Sequence, residues 1–476
     1  MPEVLHNIHC DGFEAISLTA KSSKNLSLFK SEDSNRQAEQ LRIFRKLEKK
    51  LLLFNTSSFE NQVHFQFAYQ TPVQRWFPYR EGYSVELVNS FIKSLKISGN
   101  IFDPFSGSGT TLLAARNNNI NSLGVDVNPI SVLVARVENE KYSTFNINNI
   151  RSQIETIKAL ERPKQEYQTT FNLANKVFNA DILQSLLHFK NYIKSIEDKK
   201  IRDLVFVAWL SIIEEVSNIK KEGNGIKYKN RKRTPSGYIN IDKEVWENQN
   251  FPEDKFVFVK FKLYNQLEAI FYDVVNSYGN CEKRPKIYQG SCLEFNRLFS
   301  DEIELTFFSP PYCNCFDYFE IHKVELWLGD FIKDKEDFRK LRNTGFRSNT
   351  NSLNYKPIVY KNKNLESLIS LIDTERLWSK KIPSVIRGYF DDTNTLLNKL
   401  YDQTVHGGHV GIVVGNSAYS GVIIPTDTLI VEIAQQIGFK VKNIFVTRHL
   451  TTSSQQKKKL SSLKNYLRES VIIIEK

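Results

Sequence analysis

Cysteine is scarce in this chain, with five in 476 residues and no regular spacing. That excludes a disulfide framework and, with no secretory signal in view, points to a reducing cytoplasm. Long apolar runs are also missing. The longest, Leu204 to Ile213, is too short to cross a bilayer. Within and around it, Ile201, Leu204, Val205, Ala208, Trp209, Ile212, Ile213 and Val216 share one helical face, so it reads as a core helix. No internal repeat and no long low-complexity tract occurs. The histidines His64, His322, His406, His409 and His449 are scattered and suggest no catalytic role. Acidic residues are outnumbered, 53 against 65 Lys and Arg, giving a net charge of +12. An acidic partner fits that balance, nucleic acid first among them. A generally lysine-rich composition gives the same number. An apolar content of 41% supports packed cores, and the length suits about three domains' worth of chain.

What is present centres on Ser309-Pro310-Pro311-Tyr312. These residues follow Ile303 to Phe308, an apolar run that reads as a buried strand. A small polar residue, two prolines and an aromatic form a rigid loop. Its hydroxyl and carbonyls can accept hydrogen bonds from a planar amino group, and its ring offers a surface for a flat base. A Pro-Pro turn can also simply end a strand.

A second signal lies roughly 200 residues upstream, in the segment Ile101 to Leu113. Residues 100–102 read as a strand, Asp103-Pro104-Phe105 ends it, and Gly107 and Gly109 permit a tight turn. A helix then begins at Thr110. Strand, glycine loop and helix form a nucleotide-type binding turn. The loop lacks a Walker A lysine, so it is not built for a triphosphate. The next strand, residues 122–125, ends at Asp126, which is placed to accept hydrogen bonds from ribose hydroxyls. A lone glycine loop can be merely structural; the acidic strand end argues against that here.

Together these segments resemble the S-adenosylmethionine-dependent DNA amino-methyltransferases. Residues 103–111 match the family's cofactor motif, and residues 309–312 match its Ser-Pro-Pro-Tyr catalytic motif. Residues 126–129 look like its acidic segment. The segment 76–87 is similar to the stretch that packs on the methionine end of the cofactor, and 467–472 looks like the last strand. The resemblance implies cofactor contacts from Tyr83, Ser84, Asp103, Phe105, Gly107, Gly109 and Asp126. It covers about residues 64–140 and 285–476. One departure stands out. The family carries an acid at the end of strand three for the adenine, and Ser291 stands there as a cofactor-binding candidate, since a hydroxyl can still accept or donate a hydrogen bond.

The implied fold is α/β, a Rossmann-like methyltransferase sheet, mostly parallel, with an antiparallel C-terminal hairpin and mainly helical insertions. Residues 1–63 read as an N-terminal extension with a helix over about 34–54. Residues 64–140 and 285–476 form the catalytic domain. An insertion, 141–284, carries helices near 150–161, 195–219 and 256–277. It is a candidate for target recognition, as is a second insertion, 316–400, that ends in a helix near 390–404. Strands are expected at 286–289, 303–308, 409–414, 441–448 and 466–474, and a helix at 426–437 with Thr426 as its N-cap. Lys457 to Lys459 sit in a polar loop. The basic stretch 220–233 reads as a glycine-containing mobile loop. Its Lys227, Lys229, Arg231, Lys232 and Arg233 suit DNA phosphates, with a plain solvated surface as the other reading.

In such enzymes Ser309 and the Pro310 carbonyl would bind the target amine and Tyr312 would stack on the base, which must first leave the duplex. No metal is needed. Serine at 309 favours cytosine N4 over adenine N6, where Asp or Asn is more common; motif order does not decide the subgroup. Ring-carbon methylation through Cys313 is an alternative, although Tyr312 separates that thiol from the proline pair. RNA methylation on the same fold and a non-catalytic DNA-binding relic are two others. Asp317 and Glu320 read as solvated or helix-starting carboxylates. The expected partners are double-stranded DNA and, in a restriction–modification system, a nuclease acting on the same site.

Overall fold

The computed structural model describes residues 14–15, 32–49, 51–56, 59–60, 62–63, 71–79, 82–223, 225–234, 237–276, 282–354, 356–451, 460 and 462–476. His64 and Lys457 to Lys459 lie outside these residues. Among the described residues nine strands make one sheet. They are β1 (Glu14–Ala15), β2 (Leu53–Asn55), β3 (Ile101–Asp103), β4 (Ser122–Asp126), β5 (Lys286–Gln289), β6 (Ile303–Phe308), β7 (Thr404–Gly415), β8 (Lys440–His449) and β9 (Arg468–Glu475). Their spatial order is β1-β2-β8-β9-β7-β6-β3-β4-β5. From β7 to β5 every pairing is parallel. The last strand, β9, runs antiparallel and inserts between β7 and β8. This is the expected Rossmann-like α/β methyltransferase sheet.

The apolar pattern explains the order. Residues of β3 and β6 are buried on both faces, with Ile101, Phe102, Ile303, Leu305 and Phe307 at 0% exposure. Such strands belong in the middle of a parallel sheet covered by helices. Helices α1 (Glu32–Glu48), α2 (Val85–Ser94), α3 (Thr110–Asn117) and α4 (Pro129–Glu138) come first in sequence. The chain reverses direction of winding between β3 and β6, and the carboxyl ends of these two strands form the crevice where such sheets bind ligands.

Residues 141–284 contain α5 (Thr144–Ala159), α6 (Ala180–Lys194), α7 (Lys199–Ser211) and α8 (Lys255–Asn276). The expected helix over 195–219 is interrupted. Asp198 caps α7 by accepting from the Lys200 and Ile201 amides, and the helix ends at Ser211. Helix α5 begins earlier than expected because Ser143 and Asn146 form a reciprocal capping box. The basic stretch is not a loop. It folds into two β-hairpins, Ile219–Glu222 with Gly225–Tyr228 and Arg231–Thr234 with Gly237–Asn240.

Three further expectations are corrected. Helix α1 stops at Glu48, because Leu53 to Asn55 pair with β8 as a strand. Helix α9 (Ile382–Gln403) starts before 390, with a proline in its first turn. Helix α10 (Thr426–Ile437) has no side-chain cap from Thr426. Its start is fixed by tertiary contacts instead: Asn416 accepts from the Asp427 amide, and Asp427 accepts from Arg468 and Ser470.

The inserted helices hold the segment that precedes the glycine loop. Asp273 of α8, at 0% exposure, accepts from the Val73 amide at 3.0 Å, Arg75 Nε at 2.9 Å and Trp76 Nε1 at 2.9 Å. Gln74 in turn donates to Thr110 Oγ1 of α3 at 3.1 Å. Removing the carboxylate strands a cation and two buried donors. Asp273→Ala is therefore expected to cost on the order of 3 kcal/mol. Urea unfolding of both proteins measures it; a loss under about 0.5 kcal/mol, the range of ordinary surface changes, would contradict this role.

Candidate active site

The carboxyl ends of β3 and β6 meet because their register places Leu305 opposite Ile101 and Thr306 opposite Phe102. Asp103 and Ser309 therefore leave the sheet side by side. One cavity opens there, and residues from both motifs line it: Asp103, Phe105, Gly107 and Asp126 from the first, Ser309 to Tyr312 from the second. Phe105 stacks on Phe308 with centroids 5.5 Å apart, joining the two loops.

The glycine loop is held from beneath. Asp103 accepts from the Phe105 amide at 2.9 Å and the Tyr83 hydroxyl at 3.2 Å. Tyr83 also bonds Thr111 at 2.6 Å. Burial pushes the Asp103 carboxyl up to about 7, against the lowering by its donors. Asp126 accepts from the Gly107 amide at 2.9 Å and the Asn128 amide at 2.8 Å, one per oxygen. Each oxygen keeps a second lone pair for a ligand. Burial raises this carboxyl to about 6. Ser106 Oγ is buried on the same cavity without a hydrogen-bond partner. An orphaned hydroxyl, an acceptor pair at Asp126 and the start of α3 suit a polar nucleoside such as S-adenosylmethionine.

The expected cofactor residues divide into two groups. Tyr83, Asp103, Phe105, Gly107 and Asp126 come together on the cavity. Ser84, Gly109 and Ser291 are not among its lining residues. Ser84 caps α2 by accepting from Leu87. Ser291 caps the turn Cys292–Arg297 by accepting from Leu293, and its neighbour Cys292 faces the cavity instead. Gly109 has φ +92°, and a Cβ there would lie 2.8 Å from Asn139 Nδ2 and 3.1 Å from Ala135 Cβ. Packing against α4 and the Asn139 that follows it already requires glycine here.

Tyr312 is fixed from several sides. Its hydroxyl donates to Glu469 Oε1 of β9 at 2.5 Å, and Arg448 Nε of β8 donates to Glu469 Oε2 at 2.5 Å. A Cβ on Gly415 would lie 2.8 Å from the tyrosine ring, so β7 can pass beneath the ring only as glycine. Burial, then the Glu469 charge, holds the phenol well above its usual value. Glu469, Arg448, Tyr79, Phe346 and Asn349, none of them given a role by the sequence, also line the cavity, as does Tyr318. The charged pair Arg468-Glu469 just ahead of the apolar run Val471 to Ile474 was the available signal for Glu469.

Cys313 lies elsewhere. It is 0% exposed, packs in the core and is not among the cavity-lining residues. Burial pushes its thiol well above the ordinary value, opposite to what a nucleophile needs. Asp317 is a helix-starting carboxylate rather than a solvated one, just ahead of the short helix Glu320–His322. It is 6% exposed, accepts from the Phe319 and Glu320 amides, and pairs with Arg342 at 2.7 Å.

The basic hairpins carry their charges unevenly. Lys229 Nζ donates to the Glu214 and Ser217 carbonyls, both at 2.8 Å, so it clasps the turn rather than presenting a free charge. Lys221 forms a buried pair with Glu325 at 2.6 Å. Lys227 is exposed beside Glu222, Arg231 lies over the Tyr238 ring at 4.6 Å, and Lys232 is exposed. The side chain of Arg233 lies outside the described residues.

An ionised carboxylate is the better acceptor for ribose hydroxyls. Affinity for S-adenosylmethionine should therefore rise as pH increases through about 6, the Asp126 value. In Asp126→Asn, binding should weaken by roughly tenfold, one lost charge-assisted hydrogen bond, and that pH step should vanish. Calorimetric titration across this range checks both; an unchanged pH profile in the variant would contradict the assignment.

Comparison with known proteins agrees with the geometry. Residues 5–136 match the DNA methylase family. The chain is 27% identical over 474 residues to the type II methyltransferase M.BsoBI of Geobacillus stearothermophilus, covering 90% of this chain and 91% of the relative. It is 26% identical to the type II methyltransferase M.AvaI of Nostoc sp., covering 89% and 88%. Identity to the type II methyltransferase M.MvaI of Kocuria varians is 23%, covering 70% and 73%. Such enzymes take their methyl group from S-adenosylmethionine. These likenesses support a place for the chain among the DNA amino-methyltransferases, the family that methylates the exocyclic amine of cytosine or adenine in DNA.

Proposed function

We propose that this protein methylates cytosine N4 at a specific site in duplex DNA, as the modification half of a type II restriction–modification system. The observation that carries the reading is the meeting of two distant motifs on one cavity, with Ser309 at the mouth of β6. Serine there supports cytosine over adenine. The type II relatives support the restriction–modification setting and a partner nuclease that acts on the same sequence.

A cytosine amine is a weak nucleophile because its lone pair is delocalised into the ring. Ser309 Oγ and the Pro310 carbonyl would accept hydrogen bonds from its two N–H groups. That favours a tetrahedral nitrogen and frees the lone pair. Pro310 and Pro311 keep the acceptors rigid, so alignment is set before reaction. Tyr312 would stack on the extruded base. Glu469 and Arg448 act on Tyr312 as positioning residues. S-adenosylmethionine, when bound, supplies a methyl group on an already activated sulfonium. Asp126, Ser106 and the Gly107 amide region would hold it. Lys227, Arg231 and Lys232 on the exposed hairpins would meet phosphates.

The test separates amine from ring-carbon chemistry. Tyr312→Ala should lose stacking on the order of 1–3 kcal/mol, with a matching loss of kcat/KM. Cys313→Ala should retain most activity. DNA carrying 5-fluorocytosine should form no covalent adduct with the wild type. An adduct that disappears in Cys313→Ala would overturn the amine reading.

A further inference from the structure

A second concavity lies behind one wall of the catalytic cavity. The wall is the segment 343–354. Ser348, Asn349 and Ser352 face the catalytic side, while Thr350, Asn351 and Asn354 face the other. The second cleft is lined by five cations, Lys323, Lys335, Arg339, Arg342 and Lys381, and by no carboxylate. Lys335 and Lys381 are exposed and make no ion pair among the described residues. Lys323, Arg339 and Arg342 pair with Glu320, Glu336 and Asp317, so it is Lys335 and Lys381 that attract a polyanion.

Three polar atoms on side chains that line this cleft are buried without a hydrogen-bond partner: Trp327 Nε1, Arg342 Nε and Asn354 Oδ1. Each such orphan is unfavourable in the free protein. Two are donors and one an acceptor, so the wall carries mixed hydrogen-bonding capacity that phosphate alone would not use. Base edges present both kinds of group.

The cleft is tied to the catalytic loop. Asp317, five residues after Tyr312, pairs with Arg342 at 2.7 Å and accepts from Asn351 Nδ2 at 2.9 Å. The guanidinium of Arg342 also lies 4.0 Å from the Phe338 ring centroid. A ligand that shifts Arg342 or Asn351 therefore bears directly on the loop that carries Ser309 and Tyr312.

We infer that this cleft is a DNA-reading surface, in which Lys335 and Lys381 hold phosphates and Asn354, Trp327 and Arg342 meet base edges beside the target nucleotide. The inference rests on the DNA-methylation reading and adds to it the place where sequence is read. DNA is favoured over an acidic protein because the cleft shares a wall with the catalytic cavity. A duplex whose target base enters that cavity must lie alongside it.

The probe is a duplex carrying the site that the wild-type chain methylates in its host genome. In Lys335→Gln/Lys381→Gln the slope of log affinity against log salt should shrink by about two, roughly 0.9 per lost phosphate contact. In Asn354→Ala the preference for that site over single-base variants should fall roughly tenfold, the scale of one misread base. S-adenosylmethionine binding should match wild type in both, which also shows that they fold. If the wild type methylates its site while both variants keep its slope and preference, the cleft is not the reading surface and the methylation reading stands. If the wild type neither methylates nor binds duplex DNA, both readings fall.

Discussion

The structure depends on the parallel pairing of β3 with β6. The two strands are roughly 200 residues apart in sequence, yet Leu305 sits opposite Ile101 and Thr306 opposite Phe102. Closing so long a loop is entropically unfavourable, but each doubling of length adds only about 0.6 kcal/mol. An insertion between the motifs is therefore tolerated. What offsets closure is burial: Phe102, Leu305 and Phe307 have 0% exposure. Once the pair forms, Asp103 and Ser309 emerge at one edge, and the cofactor loop and catalytic loop share a cavity. Neither motif alone provides a site.

Around this pair, charges are used mainly to fix geometry. Glu469 joins Tyr312 to Arg448. Arg468, 4% exposed, is held between Glu48 and Asp427 and locks β9 to α1 and α10. Arg347, within the wall segment 343–354, pairs with Asp391 and Asp392 of α9. Buried pairs of this kind are weak sources of net stability but are costly to break, which makes them suited to holding loops in one place. Asp317 differs in tying the loop that follows Tyr312 to Arg342 and Asn351 of the second cleft.

The sheet was legible in sequence because its central strands are short apolar runs and its two motifs are specific. Asp103, Gly107, Asp126 and Ser309 to Tyr312 meet as their motifs imply. Where sequence reading failed, tertiary contacts had overridden local signals. Leu53 and Phe54 look like the end of a helix, but pair with β8. At Gly109 the motif gives no hint of the packing demand from Ala135 of α4 and the following Asn139. The basic stretch has loop composition, yet folds as hairpins whose Lys229 and Lys221 point inward. Ser291 aligns with an acid, but caps a turn. The second cleft was invisible because its cations come from 323, 335, 339, 342 and 381, with no motif to join them.

The most direct measurement is the nucleoside composition of DNA from cells producing this chain, read by mass spectrometry after complete digestion. N4-methylcytosine should appear with the wild-type chain and be absent with Ser309→Ala. N6-methyladenine or 5-methylcytosine in its place, or N4-methylcytosine that persists in Ser309→Ala, would contradict the account.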